Sequence, residues 1–254
     1  MLRRLPHPHA PAEYSPGGRL RAVELQRFLV SLHGALTSLR PIPPVTLYVL
    51  DEHDWRRFTR LPYGYPFQRS KPGEGYGVFA PLRHPERLLE RLMRVFAEAV
   101  RRGGRLPGPL AVFLDLMIAH EYAHAVAVAW GLRARVRWVD EFLANYLYLL
   151  ALNHSDPQLY AQARAWADLA SRLEPKRRSL SGFERYPRRP LREQLWFQGV
   201  FTLEAARLIE ESGDRFVRRL LEAAPLTRRT LHKNLLAAEP DLKRFFLTFA
   251  EKVT

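Results

Sequence analysis

The 254 residues contain no cysteine, 47% hydrophobic side chains and a formal net charge of +14. That length and apolar content support one large core or two small ones. Without thiolates, a disulfide framework and a cysteine metal site are excluded, so any bound metal must be held by nitrogen and oxygen. Lysine occurs only at Lys71, Lys176, Lys233, Lys243 and Lys252, so the positive charge is nearly all arginine, densest in "EPKRRSLSGFERYPRRPLR" (174–192). Such a field favours polyanions, nucleic acid among them, but defines neither a fold nor a chemistry.

In chain order, "MLRRLPHPHAPAEYSPGG" starts basic with no apolar run behind it, so neither a signal peptide nor an anchor is expected. The longest apolar segment, around 109–130, is broken by Asp115, His120, Glu121 and His124, so no membrane insertion is expected and a cytoplasmic protein is the default. Residues 20–39 carry apolar side chains at three- and four-residue spacing, predicting a helix that stops at "RPIPP". "VTLYVL" (45–50) reads as a strand, "DEHDWRRFTR" (51–60) as a short helix, "LPYGYPFQRSKPGEG" (61–75) as a loop and "YGVFAP" (76–81) as a second strand. A helix over 84–102 has Pro85 at its first position and Gly103 past its end.

A Gly/Pro loop then leads to a helix ending at Gly131, and further helices follow over 139–154 and 156–173, the latter capped by Asp156 with Pro157 in the first turn. Beyond the basic connector, helices over 191–213 and 214–224 divide at Gly213, and the tail 226–253 predicts two more. The expected class is α+β, predominantly helical, with a small sheet confined to the first ninety residues. Residues 1–172 and a C-terminal helical part, 173–254, form two packed subdomains or a single domain.

The chemistry concentrates in "IAHEYAHAVAVAW" (118–130). Positions four apart share a helix face, so His120 and His124 can aim both imidazoles at one zinc ion. A catalytic zinc needs a third protein ligand and one position for water. Glu121 sits one residue round from His120, beside such an ion, where it can take a proton from the water and pass it to the leaving group. This is the His-Glu-x-x-His pattern of zinc hydrolases. Three ionisable side chains on an otherwise apolar helix would be costly to bury without partners, and a cation relieves all three.

Downstream, "WVDEFLANY" (138–146) resembles the glutamate-ligand segment of the gluzincin metallopeptidases, aminopeptidase-N-type and thermolysin-like. Trp138, Glu141, Ala144 and Tyr146 agree with it, while Phe142 and Leu143 replace a glycine and an aromatic. The resemblance implies a zincin-like core with Glu141 as third zinc ligand, separated from His124 by sixteen residues. It also implies Asn145 as a neighbour that accepts a hydrogen bond from a ligating imidazole, where relatives carry aspartate. Read from the residues alone, Glu141 is also a first-turn glutamate favoured by the helix dipole, and Asp140 is an N-cap or a rival ligand.

The resemblance extends over about 45–223. It places a substrate-binding edge strand at "GYGVFAP", which lacks the acid that aminopeptidases use to hold a free amino terminus. It puts Trp196, in "WFQG", where the family has a tyrosine that stabilises the oxyanion. Core packing is the other reading of Trp196 and Phe197, and Tyr186, His232 and His154 are substitute oxyanion donors. The implied activity is peptide hydrolysis at one zinc on His120, His124 and Glu141, with a peptide or protein substrate. Two alternatives remain open. One is a regulatory gluzincin, like those of phage immunity and radiation response, acting on a specific partner protein near DNA. The other is a catalytically weak metal-binding scaffold.

Overall fold

The computed structural model describes residues 1–71, 73, 75–185 and 189–249. Two apolar segments form the centre of its sheet. β3 (Thr46–Leu50) runs parallel to β5 (Gly75–Pro81), with Leu47 opposite Val78 and Val49 opposite Ala80. Alternation along these strands feeds both faces. Leu47, Val49, Val78 and Ala80 enter the main core, while Leu50 and Phe79 join Trp55 and Phe67 in a small aromatic cluster behind the sheet.

Three further strands complete a mixed sheet of order β1-β2-β3-β5-β4. β1 (Arg3–Leu5) and β2 (Ala12–Tyr14) are three residues each, too short to show an alternating pattern. β4 (Phe67–Lys71) lies within the expected loop and pairs antiparallel with β5. The strand over 76–81 is therefore interior, and β4 forms the edge of the sheet on that side. Its "FQRSK" is polar because only Phe67 turns into the aromatic cluster, stacked 4.4 Å from Phe79.

The helices are α1 (Arg19–Thr37), α2 (Glu52–Phe58), α3 (Glu86–Arg101), α4 (Leu110–Ala129), α5 (Arg137–Ser155), α6 (Pro157–Ser171), α7 (Leu180–Arg185), α8 (Leu191–Ser212), α9 (Arg215–Glu222), α10 (Leu231–Ala238) and α11 (Leu242–Leu247). Asp51 caps α2 through Asp54 N–H, and Asp156 caps α6 through the N–H groups of Gln158 and Leu159. α7 forms inside the basic connector, where Phe183 is buried. α4 packs on β4, β5 and α5, and α8 lies against both α5 and α6. One continuous buried cluster runs from Ala10 to Phe249.

Two features of this packing position the site. α4 is long and apolar enough to cross a membrane by length and composition, and 67% of its most apolar window is buried inside the protein. It is thus surrounded by other elements rather than presenting one greasy stripe. At the α6–α8 crossing, a Cβ on Gly199 would stand 2.7 Å from Ala167 O and 2.9 Å from Ala170 Cβ. Glycine is what lets α8 approach closely enough to reach α5 with its neighbouring side chain, Gln198.

Candidate metal centre

α4 presents His120, Glu121 and His124 toward β4 and the first turns of α5. α5 starts at Arg137, two residues before the expected boundary, with Val136 as N-cap. Asp140 is therefore in the first turn and not at the cap, and its Oδ1 accepts from Ala134 N–H at 3.1 Å, tying down the connector. Glu141, one position on, turns toward α4.

The three expected ligands converge. Nε2 of His120 lies 3.1 Å from Glu141 Oε2 and 3.1 Å from His124 Nε2, and His124 Nε2 lies 3.6 Å from Glu141 Oε2. Ligands held tetrahedrally at about 2.0–2.1 Å from one ion stand roughly 3.3–3.4 Å apart, so this triangle has the size of one face of such a tetrahedron. Two imidazoles and a carboxylate also form a donor set that suits zinc. Among the described residues, this is the one cluster of His, Asp and Glu whose ligand atoms all lie within 4.8 Å of one another.

Burial alone would raise the Glu141 carboxyl, but the His124 and His120 imidazoles override it and hold it well below its usual range. Glu121 behaves oppositely. Burial, with some help from the Glu141 charge, pushes it up to about 8 against the opposing effects of His120 and of the Gln68 backbone N–H, which donates to it. Glu121 stays outside the ligand cluster yet lines both cavities that flank it, one of about 270 Å³ toward α8 and one of about 240 Å³ toward the α4–α5 connector.

Asn145 does not contact an imidazole, and the expectation that it steadies one is corrected. It lies one turn beyond Glu141 on the same helix and faces α8. Its Nδ2 donates to Gln198 Oε1 at 2.6 Å and to Glu141 O, and its Oδ1 accepts from Thr202 Oγ1 at 2.9 Å. Gln198 Nε2 then donates to Glu141 Oε2 at 2.6 Å. The orientation is self-consistent: a carboxylate only accepts, so Gln198 must offer it nitrogen and turn its oxygen to Asn145. Asn145 acts on the cluster through Gln198, and the buried His120 Nδ1 has no hydrogen-bond partner.

The proposed oxyanion donors scatter. Trp196 is fully buried against Phe197 and Phe249. His232 lines a separate cavity with Trp138 and Arg228, and His154 is in the last turn of α5, the end opposite Glu141. Tyr186 lies outside the described residues. In their place Gln68, Arg137, Arg189, Gln194 and Gln198 line the two cavities. Two of these carry a readable signal: Gln194 and Gln198 recur with Thr202 every four residues and form one uncharged polar stripe along α8.

Comparison with protein-family models, with curated proteins and with solved structures returns no match.

Proposed function

We propose that the protein is a zinc-dependent metallopeptidase of gluzincin type with a zincin-like core, holding one Zn²⁺ on His120, His124 and Glu141. The observation that carries this reading is the triangle of ligand atoms at the spacing of one tetrahedral face, with Glu121 beside it and outside it. When bound, zinc supplies Lewis acidity that makes its water a nucleophile near neutral pH and polarises a carbonyl.

The chain's own residues do the rest. Glu121 takes the proton from the attacking water and carries it to the leaving amine. Gln198, itself held by Asn145, donates to the Glu141 oxygen that faces the imidazoles and so keeps it oriented. The Gln68 N–H steadies the Glu121 carboxylate from β4. An edge strand next to the general base favours an extended peptide as substrate, because strand addition recognises backbone without regard to side chain.

The test is cleavage of a peptide library by the zinc-loaded protein and by Glu121→Gln. The variant keeps the ligands and the volume but cannot accept a proton, and it should lose at least about 100-fold in turnover while binding zinc equally well. Equal cleavage by both proteins would reject the assignment. A second reading, a metal-binding scaffold without turnover, is favoured by the absence of Trp196, His154 and His232 from the cavity walls. It predicts zinc binding with no cleavage by the wild type.

A further inference from the structure

The cavity toward α8 holds a cation that the chemistry above does not use. Arg189, just before α8, stacks its guanidinium on Phe183 with Cζ 3.6 Å from the ring centroid. It lines the same cavity as His120, Glu121 and Glu141. Its Nη2 is buried and has no hydrogen-bond partner. An N–H of a charged guanidinium is rarely left that way, and where one is, a missing acceptor is the natural explanation. Burial, with the nearby Arg137 charge, lowers its pKa to about 10, so the group is still cationic at neutral pH. Glu141, Glu193 and Glu184 act on it through space and yet leave Nη2 without an acceptor.

The surroundings narrow the ligand. Arg137, the other guanidinium on this wall, is engaged by Glu184: its backbone N–H donates to Oε2 at 2.9 Å and its Nη1 to the carbonyl at 3.3 Å. Stacking on Phe183 fixes the plane of Arg189, and a planar guanidinium is the side chain best matched to a two-oxygen acceptor. Phe113, Leu114 and Met117, all apolar, line the same cavity. At about 270 Å³, the space falls below the roughly 300–1,000 Å³ of sites for drug-sized ligands and suits a single residue.

We infer that Arg189 anchors a carboxylate of the substrate while an apolar group of the same residue or its neighbour fills the Phe113–Met117 wall. This rests on the peptidase reading only in taking the cavity beside the ligand cluster as the substrate's place. A free C-terminus and an acidic side chain offer the same acceptor, and the experiment separates them.

Calorimetric titration of the full-length protein, freed of metal by chelator, compares three small probes. N-acetyl-leucine carries a terminal carboxylate, N-acetyl-leucinamide carries none, and N-acetyl-isoglutamine carries one on its side chain. At least one carboxylate probe should bind, about tenfold or more tighter than N-acetyl-leucinamide, and Arg189→Gln should abolish that preference. Tighter binding of N-acetyl-leucine identifies terminal anchoring, and tighter binding of N-acetyl-isoglutamine identifies an acidic side chain. Arg189→Lys, which keeps charge without the fork, should fall between wild type and Arg189→Gln. Equal affinity for the amide and the acids, no binding of either acid, or an unchanged preference in a folded Arg189→Gln overturns the assignment. If that variant fails to fold, the three wild-type affinities decide. No bond is cleaved here, so failure leaves the peptidase reading standing, whereas carboxylate binding without zinc-dependent cleavage sinks the peptidase reading alone.

Discussion

Gln198 donates to Glu141 Oε2 at 2.6 Å, the same oxygen that lies 3.1 Å from His120 Nε2. A side chain from a third helix therefore orients the acid that completes the ligand triangle. Gln198→Leu keeps the volume and removes that bond. Zinc affinity, measured by competition with a chromophoric chelator, should fall about 10- to 100-fold. Unchanged affinity would mean that Glu141 is held from elsewhere.

Gly199, next along α8, makes a steric prediction. An alanine there would meet Ala167 O, Ser171 N and Ala170 Cβ, all within 2.9 Å. Two of the three are backbone and cannot swing away, so α8 must lift. Gly199→Ala should destabilise the fold by about 1–3 kcal/mol in denaturant titration. It should also weaken zinc binding by displacing Gln198, which a purely local strain would not do.

Metal should stabilise the folded chain, because the ligands come from two helices that meet only in the fold. Chelator should lower the melting temperature of the zinc-loaded protein, and zinc at 100 times its dissociation constant should restore about 2.7 kcal/mol. Identical melting curves with and without chelator would leave the cluster without a cation.

A cluster away from the site should govern acid stability. Asp115 on α4 accepts from His84 Nε2 at 2.9 Å and from Arg21 on α1. Burial alone would raise its carboxyl, but His84 and Arg21 override it and hold it below the ordinary value. A depressed carboxylate pKa stabilises the fold above the unfolded value, about 3.9, and that contribution fades as pH falls through the lower folded value. Asp115→Asn should therefore cost about 1–2 kcal/mol near pH 7, and the gap to wild type should narrow below about pH 4 in denaturant titrations. A gap that is constant with pH would contradict this.

The helices were legible because their apolar spacing and their stops agree: Asp156, Gly131 and Gly213 fall at or beside the observed ends. The convergence of His120, His124 and Glu141 was legible because the two histidines depend on one helix only, and Glu141 on the resemblance carried by its neighbours. What was hidden needed tertiary information. β4 shows a polar pattern because it is an edge beside the site, so propensity reads it as loop. α7 sits in a basic, proline-bearing stretch where only Phe183 records a buried face. Asn145 lies on the expected helix but pairs with Gln198 and Thr202 and not with an imidazole. Its direction depends on Gln198 and Thr202, more than fifty residues away in sequence.

The most direct test of the central claim is the metal content of the purified protein, by elemental analysis, for wild type and for His120→Ala, His124→Ala and Glu141→Ala. The account predicts one zinc per wild-type chain, with near-complete loss in both histidine variants and markedly weaker retention in the glutamate variant. A wild type without zinc after zinc-supplemented purification, or variants that keep the full complement, would contradict it.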